Sequence, residues 1–338
     1  MSREPLPDGD RGTAAHRPPV IATVIGDPGG VGPEVCVKAL FDGSPGDARH
    51  LLIGDVHSLR AAAATSGLDI RFRVISAPPA EPAGPGEILV LDPGTLDAAA
   101  YRTGEPSAAA GRAVVEWIRL AERMAAAGDI DGWIMGPLDS TSLKLAGEIA
   151  ALDDLQPANT WMLRVSPILR VVPLSEHISI AQVPATVTRA AVLHLIRLAA
   201  GAFRRWGVPN PRIGVAGLNP HAMGREDAEE IAPAVADAKA GGWTVEGPVS
   251  PDSIFRQAIE GKYDVVISMY HDQGQIPLKT AAFEGACTIY LGLDHVHLTI
   301  PHGSAMDIAG KGLAQHASMA AAMRMAASLC NGAGFVDG

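Results

Sequence analysis

Three histidines carry the first chemical signal in this chain, because each stands at or just past the end of a short apolar run. They are His177 after ILRVVPLSE, His221 after RIGVAGLNP and His271 after DVVISMY. If those runs are strands of an α/β fold, their carboxyl ends are where active sites assemble. Imidazole is the commonest metal ligand, and three of them with an open coordination position suit Zn²⁺ or a similar divalent ion acting as a Lewis acid. For any single one of the 11 histidines the ordinary role is that of a hydrogen-bonded loop residue; the matching placement of three points to one site. The segment HDQGQIPLK reads as a turn that puts Asp272 beside His271 and Lys279 eight residues further on. One loop would then supply a ligand, a supporting carboxylate and a cation. That cation would bind a carboxylate or move protons, with a solvated lysine as the alternative.

Two Gly-rich segments join the set. GDPGGVGPE, from Gly26 to Glu34, follows an apolar run and opens a helical pattern, where backbone N–H groups can approach an anion. It lacks the G-x-G-x-x-G order of dinucleotide-binding turns, and a tight strand-to-helix turn would need the same glycines, so no Rossmann fold is assigned. HGSAMDIAGKG, from His302 to Gly312, has too many small residues for a strand or helix core and reads as backbone pressed against a ligand.

The elements that must position these residues follow from periodicity. Short Val- and Ile-rich runs alternate with longer Ala- and Leu-rich amphipathic stretches, the pattern of parallel strands joined by crossover helices in an α/β protein. Strands are predicted at 20–25, 50–53, 87–91, 132–135, 168–174, 212–218, 264–270 and 287–292, and helices at 32–41, 108–127, 188–205, 226–240 and 313–329. At 338 residues the chain exceeds the size at which one core usually keeps growing, so two domains with a cleft are expected. A hydrophobic fraction of 47% and a charged fraction of 19% are those of a globular enzyme and exclude a disordered chain. The net charge of -10, with no basic stripe, argues against nucleic acid as a partner. Cys36, Cys287 and Cys330 are far apart and odd in number, which fits a reducing cytoplasm. No run reaches the roughly 18 apolar residues of a membrane helix, and residues 1–18, without an apolar signal core, read as a mobile tail.

From about residue 20 to 330 the chain resembles the 4-hydroxythreonine-4-phosphate dehydrogenase family of the isocitrate/isopropylmalate dehydrogenase-like superfamily. GDPGGVGPE, MGPLDSTSLKLAG, LSEHISI, GLNPHA, GPVSPDSIF, SMYHDQGQIPLK and HGSAMDIAG stand in the family's order. The resemblance implies two α/β domains with a cleft between them. Residues 19–137 with 285–338 would form the first, carrying the NAD-binding loop, and 138–284 the second, carrying metal ligands and dimer contacts. It implies a divalent metal (Zn, Co, Ni, Mg or Mn) on His177, His221 and His271, with Asp252 and Asp272 nearby and Lys279 on the substrate. It implies NAD against His302, Gly303, Ser304, Ala305 and Asp307, and a homodimer whose second subunit completes the cleft. An acidic residue at position 307 favours NAD over NADP, because it accepts hydrogen bonds from ribose hydroxyls and repels a 2′-phosphate.

The departures point to a changed substrate. The family's GPxNK motif reads GPLDS, with Ser140 in place of the lysine, and its GHTE motif is absent. Thr288 and His297 stand where the family has a substrate-binding Asn and Arg. An Arg fork suits a phosphate dianion, whereas a neutral imidazole does so poorly. The expectation is therefore a metal-dependent, NAD-linked oxidation of a small unphosphorylated hydroxy acid, such as a cis-dihydrodiol carboxylate. Decarboxylation would follow if the new carbonyl is β to a carboxylate. HGSAMDIAG and HDQGQIP look closer to the terephthalate dihydrodiol dehydrogenase branch. The alternatives are the family's own substrate, 4-hydroxythreonine-4-phosphate of pyridoxal phosphate biosynthesis, and a non-catalytic homologue that binds NAD or metal.

Overall fold

The structure, a computed structural model, describes residues 17–42, 45–150, 152–281 and 287–336. The tail expected over residues 1–18 lies, up to residue 16, outside the described residues. Twelve strands are present: β1 Val20–Val24, β2 Arg49–Ile53, β3 Arg71–Ile75, β4 Glu87–Leu91, β5 Gly132–Met135, β6 Trp161–Val165, β7 Arg170–Ser175, β8 Ile213–Ala216, β9 Val245–Val249, β10 Val265–Tyr270, β11 Cys287–Leu291 and β12 Val296–Thr299. The α-helices are α1 Gly32–Phe41, α2 Val56–Thr65, α3 Ala108–Ala126, α4 Ser140–Ala146, α5 Val183–Thr186, α6 Arg189–Arg205, α7 Ala232–Ala240, α8 Ile254–Ile259, α9 His271–Ala281 and α10 Ala317–Cys330.

All the strands belong to one sheet in the order β3-β4-β2-β1-β5-β12-β11-β6-β7-β10-β8-β9. The α/β architecture agrees with the sequence reading. From β3 to β12 the neighbours are parallel, and so are β7, β10, β8 and β9. Between these blocks β11 is antiparallel to both β12 and β6, and β6 is antiparallel to β7. The central parallel strands are covered on both faces, which explains their unbroken apolar sequences: every residue of VIATV in β1 and of GWIM in β5 is buried. Trp117, Trp133 and Phe203 are among the largest side chains packed fully inside.

Four strands escaped the sequence reading, for local reasons. In β3 the arginines of RFRVI alternate on a largely exposed edge strand, where charge protects an open edge. Arg164 interrupts β6, Gly247 and Pro248 interrupt β9, and His297 interrupts β12. The HDQGQIPLK segment is not a turn. It lies in helix α9, which starts at His271 itself and accommodates Pro277.

Candidate functional site

β7, β10 and β8 are adjacent and mutually parallel, so their carboxyl ends, where His177, His271 and His221 follow, lie at one end of the sheet. His177 occupies the bend after β7, and Ser175 just before it donates a hydrogen bond of 2.9 Å to the Met269 carbonyl of β10. The His177 and His271 rings consequently come within 5.1 Å, centroid to centroid. Glu176 joins them: one carboxylate oxygen of Glu176 and one ring nitrogen each of His177 and His271 all lie within 4.8 Å of one another. Nδ1 of His271 is 2.7 Å from the Asp272 carboxylate, which orients the ring and leaves Nε2 outside that contact.

His221 stands outside this trio. It and Ala222 are held in the left-handed region at φ 55° and 56°, a conformation that costs a non-glycine residue on the order of 1–3 kcal/mol and persists only where the surroundings impose it. The buried Asp227 carboxylate imposes it, accepting hydrogen bonds from the backbone N–H groups of Leu218, Asn219 and Gly224 and from the Asn219 amide. Nδ1 of His221 is 3.4 Å from the Ser250 hydroxyl and 3.8 Å from Asp252, and Ser250 donates to Asp252 at 2.6 Å. His221 and Asp252 line an open cavity of about 650 Å³ with Asp272, Tyr270 and Gln273. Gln273 ties the parts together, donating to the Gly217 carbonyl beyond β8 and accepting from the Met269 N–H. Lys279 is exposed near the far end of α9. Eight helical residues place it roughly 12 Å along the axis from His271, so the expectation that one compact turn gathers ligand, carboxylate and cation is corrected.

At the other parallel block, the Gly-rich turn GDPGGVGPE packs against protein rather than opening to an anion. The Asp27 N–H donates to the Pro137 carbonyl and the Val31 N–H to the Ser304 carbonyl, at 2.9 and 2.8 Å. A Cβ on Gly30 would lie 2.7 Å from that Ser304 oxygen. Gly30 leaves room for the HGSA loop, which Ser304 also anchors through a 2.9 Å hydrogen bond to Asp139, while Gly26 and Gly32 make room for Pro137 and the Ile25 carbonyl. Within the turn Asp27 is buried, and desolvation holds its carboxyl above the usual range despite hydrogen bonds from Ser142 and the Gly29 N–H, with Asp139 adding repulsion.

The HGSA loop carries Ala305 at φ 40° and separates two cavities. One, of about 790 Å³, is lined by Val31, Val35, His302, Gly303, Ala305 and Ile308 among others. The second, of about 350 Å³, runs from Met135 and Leu138 across Met162 and Tyr290 to His177, and it too is walled by His302 and Gly303. Nε2 of His302 is buried and has no hydrogen-bond partner, so the common wall holds a polar atom that a ligand can satisfy. Asp307 is exposed and outside both linings, while its neighbours Ala305 and Ile308 face the larger cavity.

The two positions expected to replace the family's phosphate contacts behave differently. Thr288 is half-buried, opposite Arg164 and Thr299 in the ladder. His297 is 1% exposed and lines neither cavity. Desolvation pushes its pKa well below 6.5, with His295 adding to the effect. Its placement takes it out of direct reach of a substrate. Glu176, Asp227 and Tyr290 were missed by sequence reasoning; only Glu176 had a local signal, its adjacency to His177 in LSEH.

Residues 47–326 match the model of the family described as pyridoxal phosphate biosynthetic protein PdxA. The chain belongs to the PdxA family. A Novosphingobium aromaticivorans relative, provisionally named 4-hydroxythreonine-4-phosphate dehydrogenase, is 41% identical over 96% of this chain and 98% of its own length. A D-threonate 4-phosphate dehydrogenase of Pectobacterium atrosepticum is 34% identical over 92% of this chain and 99% of its own. Among solved structures, a terephthalate 1,2-cis-dihydrodiol dehydrogenase from Burkholderia xenovorans superposes with a TM-score of 0.71 at 30% identity, covering 92% of this chain and 98% of that one. This PdxA-family chain is thus similar to dehydrogenases throughout its length.

Proposed function

We propose that this PdxA-family protein is a divalent-metal-dependent, NAD-linked dehydrogenase of a small hydroxy acid. The observation that carries the reading is the wall formed by His302 and Gly303, common to a large cavity beside the HGSA loop and to a smaller one that reaches His177. A substrate in the smaller cavity would lie between the histidine cluster and a nucleotide in the larger one. NAD, lying against His302, Gly303, Ser304 and Ala305 with Asp307 at the ribose, would supply the hydride acceptor. A divalent ion held by His177, His221 and His271 would supply Lewis acidity toward the substrate hydroxyl. Asp272 fixes the His271 ring and Asp252 stands beside His221. Lys279 would orient a substrate carboxylate or carry a proton, and loss of CO₂ would follow where the new carbonyl is β to a carboxylate.

His221, Asp252 and Lys279 are exposed in one chain, and a homodimer that closes over them fits their exposure. Each histidine-bearing segment also carries an exposed large apolar side chain: Ile178 and Ile180 beside His177, Met223 beside His221 and Ile276 on α9. Such residues favour burial against a second copy. No single helix among the described residues is long and apolar enough to cross a membrane. We infer a cytoplasmic location from the free thiols of Cys36, Cys287 and Cys330.

For the substrate, the relatives' names support a 4-phosphorylated hydroxy acid better than an unphosphorylated one, and that class stands first. The second reading, an unphosphorylated cis-dihydrodiol carboxylate, draws on the pocket: His297 is buried where an Arg was expected, and Met135, Leu138, Leu155, Met162, Tyr290 and Ile300 give the smaller cavity an apolar lining suited to a ring. NADH formation by the metal-loaded protein decides between them, measured on 4-hydroxythreonine-4-phosphate, D-threonate 4-phosphate and a terephthalate dihydrodiol, each with and without chelator. Turnover of a phosphate ester supports the first reading, and turnover of the diol alone supports the second. Turnover that survives chelation, or tight NAD and metal binding without turnover of any hydroxy acid, would sink the metal-dependent dehydrogenase.

A further inference from the structure

We propose that Glu176, gripped by Arg164, is a metal ligand of this site alongside the histidines. The inference rests on the metal-dependent reading above and adds a charged oxygen to a donor set of imidazoles. Glu176 and His177 are consecutive, and in a regular strand their side chains would point to opposite faces. Here β7 ends at Ser175, and a tight bend, closed by a 2.8 Å hydrogen bond from the Ile178 N–H to the Glu176 carbonyl, brings both side chains to the same cluster. Their ligating atoms and that of His271 lie within 4.8 Å of one another. Metal–ligand bonds of about 2.1 Å set donors roughly 3–4 Å apart, within the 4.8 Å that bounds this trio.

Arg164 gives the carboxylate its orientation. From β6, beside β7, its Nη1 donates to Oε1 of Glu176 and its Nη2 to Oε2 at 2.9 Å, while Nη1 also donates to the Met162 carbonyl. Both side chains are largely buried, at 10% and 17% exposure. A guanidinium fork leaves each carboxylate oxygen a further lone pair, so the grip does not exhaust Glu176 as a donor. It instead fixes the carboxylate beside His177 and offsets its charge, the arrangement in which a partner outside the ligand set tunes a first-rank ligand. His221, the remaining expected ligand, is not within the same range in this chain. Adding a carboxylate to the imidazoles widens the choice of ion toward Mg²⁺ and Mn²⁺.

Co²⁺ titration of the full-length protein, followed by calorimetry and by the visible ligand-field bands, tests the assignment. Glu176→Gln leaves Arg164 buried without its partner, so the double variant Arg164→Met/Glu176→Gln is measured beside it, with circular dichroism to verify the fold. The expected result is a rise of at least about tenfold in the Co²⁺ dissociation constant, the scale reached even by partners of ligands, with altered bands in both variants. Unchanged affinity and bands in the folded double variant would overturn the proposal and leave Glu176 as a structural partner of Arg164. A wild-type protein that binds no Co²⁺, Zn²⁺ or Mn²⁺ would instead overturn the metal-dependent reading, and this proposal with it. Loss of binding in His271→Ala with full binding in the double variant would show that the site exists and excludes Glu176.

Discussion

The His297 imidazole lies nearly flat on the Trp133 indole, with ring centroids 3.6 Å apart and planes 18° apart. Tyr290 packs against the same imidazole at 4.5 Å, and neither ring nitrogen has a hydrogen-bond partner. A histidine at a position that suggested substrate recognition is therefore an aromatic element of the core.

This placement makes stability depend on acid. Desolvation lowers the His297 pKa well below 6.5, and burial lowers that of His50 to about 4. The unfolded chain takes up these protons first as pH falls. The contribution is present above about 6.5 and is lost as pH drops toward the folded values, by on the order of 2–3 kcal/mol for a group shifted as far as His50. Thermal melts should show Tm falling from about pH 6.5 to pH 4, less steeply in His297→Phe. That variant should also keep its KM for substrate within about twofold, since the ring lines neither cavity; a large KM change with unaltered Tm would contradict the buried assignment.

Gly30→Ala tests whether the Gly-rich turn serves the HGSA loop. The added methyl would lie 2.7 Å from the Ser304 carbonyl oxygen and 2.8 Å from its Cβ. Overpacking of this kind costs about 1–3 kcal/mol, and the loop must shift to relieve it. The expected outcome is weaker NAD binding, by about tenfold in fluorescence titration, with metal affinity retained. Equal loss of both would mean a global fold defect instead.

Asp307 should govern cofactor choice if a ribose reaches it. Asp307→Ala is expected to lower the ratio of kcat/KM for NAD over NADP by about tenfold or more, through weaker ribose hydrogen bonding and removal of repulsion toward a 2′-phosphate. An unchanged ratio would place the adenosine elsewhere.

Asp227 holds the His221 loop in its left-handed turn through three backbone N–H groups and the Asn219 amide. Asp227→Ala removes the shared acceptor and leaves buried donors unpaired, at about 1–3 kcal/mol for each group that water cannot reach. Metal affinity should weaken as His221 loses its position, while the His177 and His271 pair stays in place. Unaltered metal binding in a folded Asp227→Ala protein would remove His221 from the metal site.

Much of this protein was written locally in its sequence. Strands such as VIATV and VVISMY announce themselves because both faces of the sheet are covered, and the polar residues that follow ILRVVPLS and DVVISMY mark where the chain reaches an open end of it. The order of its motifs placed it in its family. Periodicity and neighbouring residue types carry that information without reference to distant parts of the chain. Other features depended on residues far apart in sequence. Gln273 of HDQGQIPLK bonds the Met269 N–H of β10 and the Gly217 carbonyl, and Gly30 of GDPGGVGPE is required by a loop more than 250 residues away. His297 is a core residue because Trp133 and Tyr290 from neighbouring strands enclose it, and Glu176 joins the histidines because a bend and the Arg164 fork of the adjacent strand turn it toward them. Strand pairing chooses these neighbours, and a side chain's chemistry follows from what surrounds it, so only the tertiary structure could decide them.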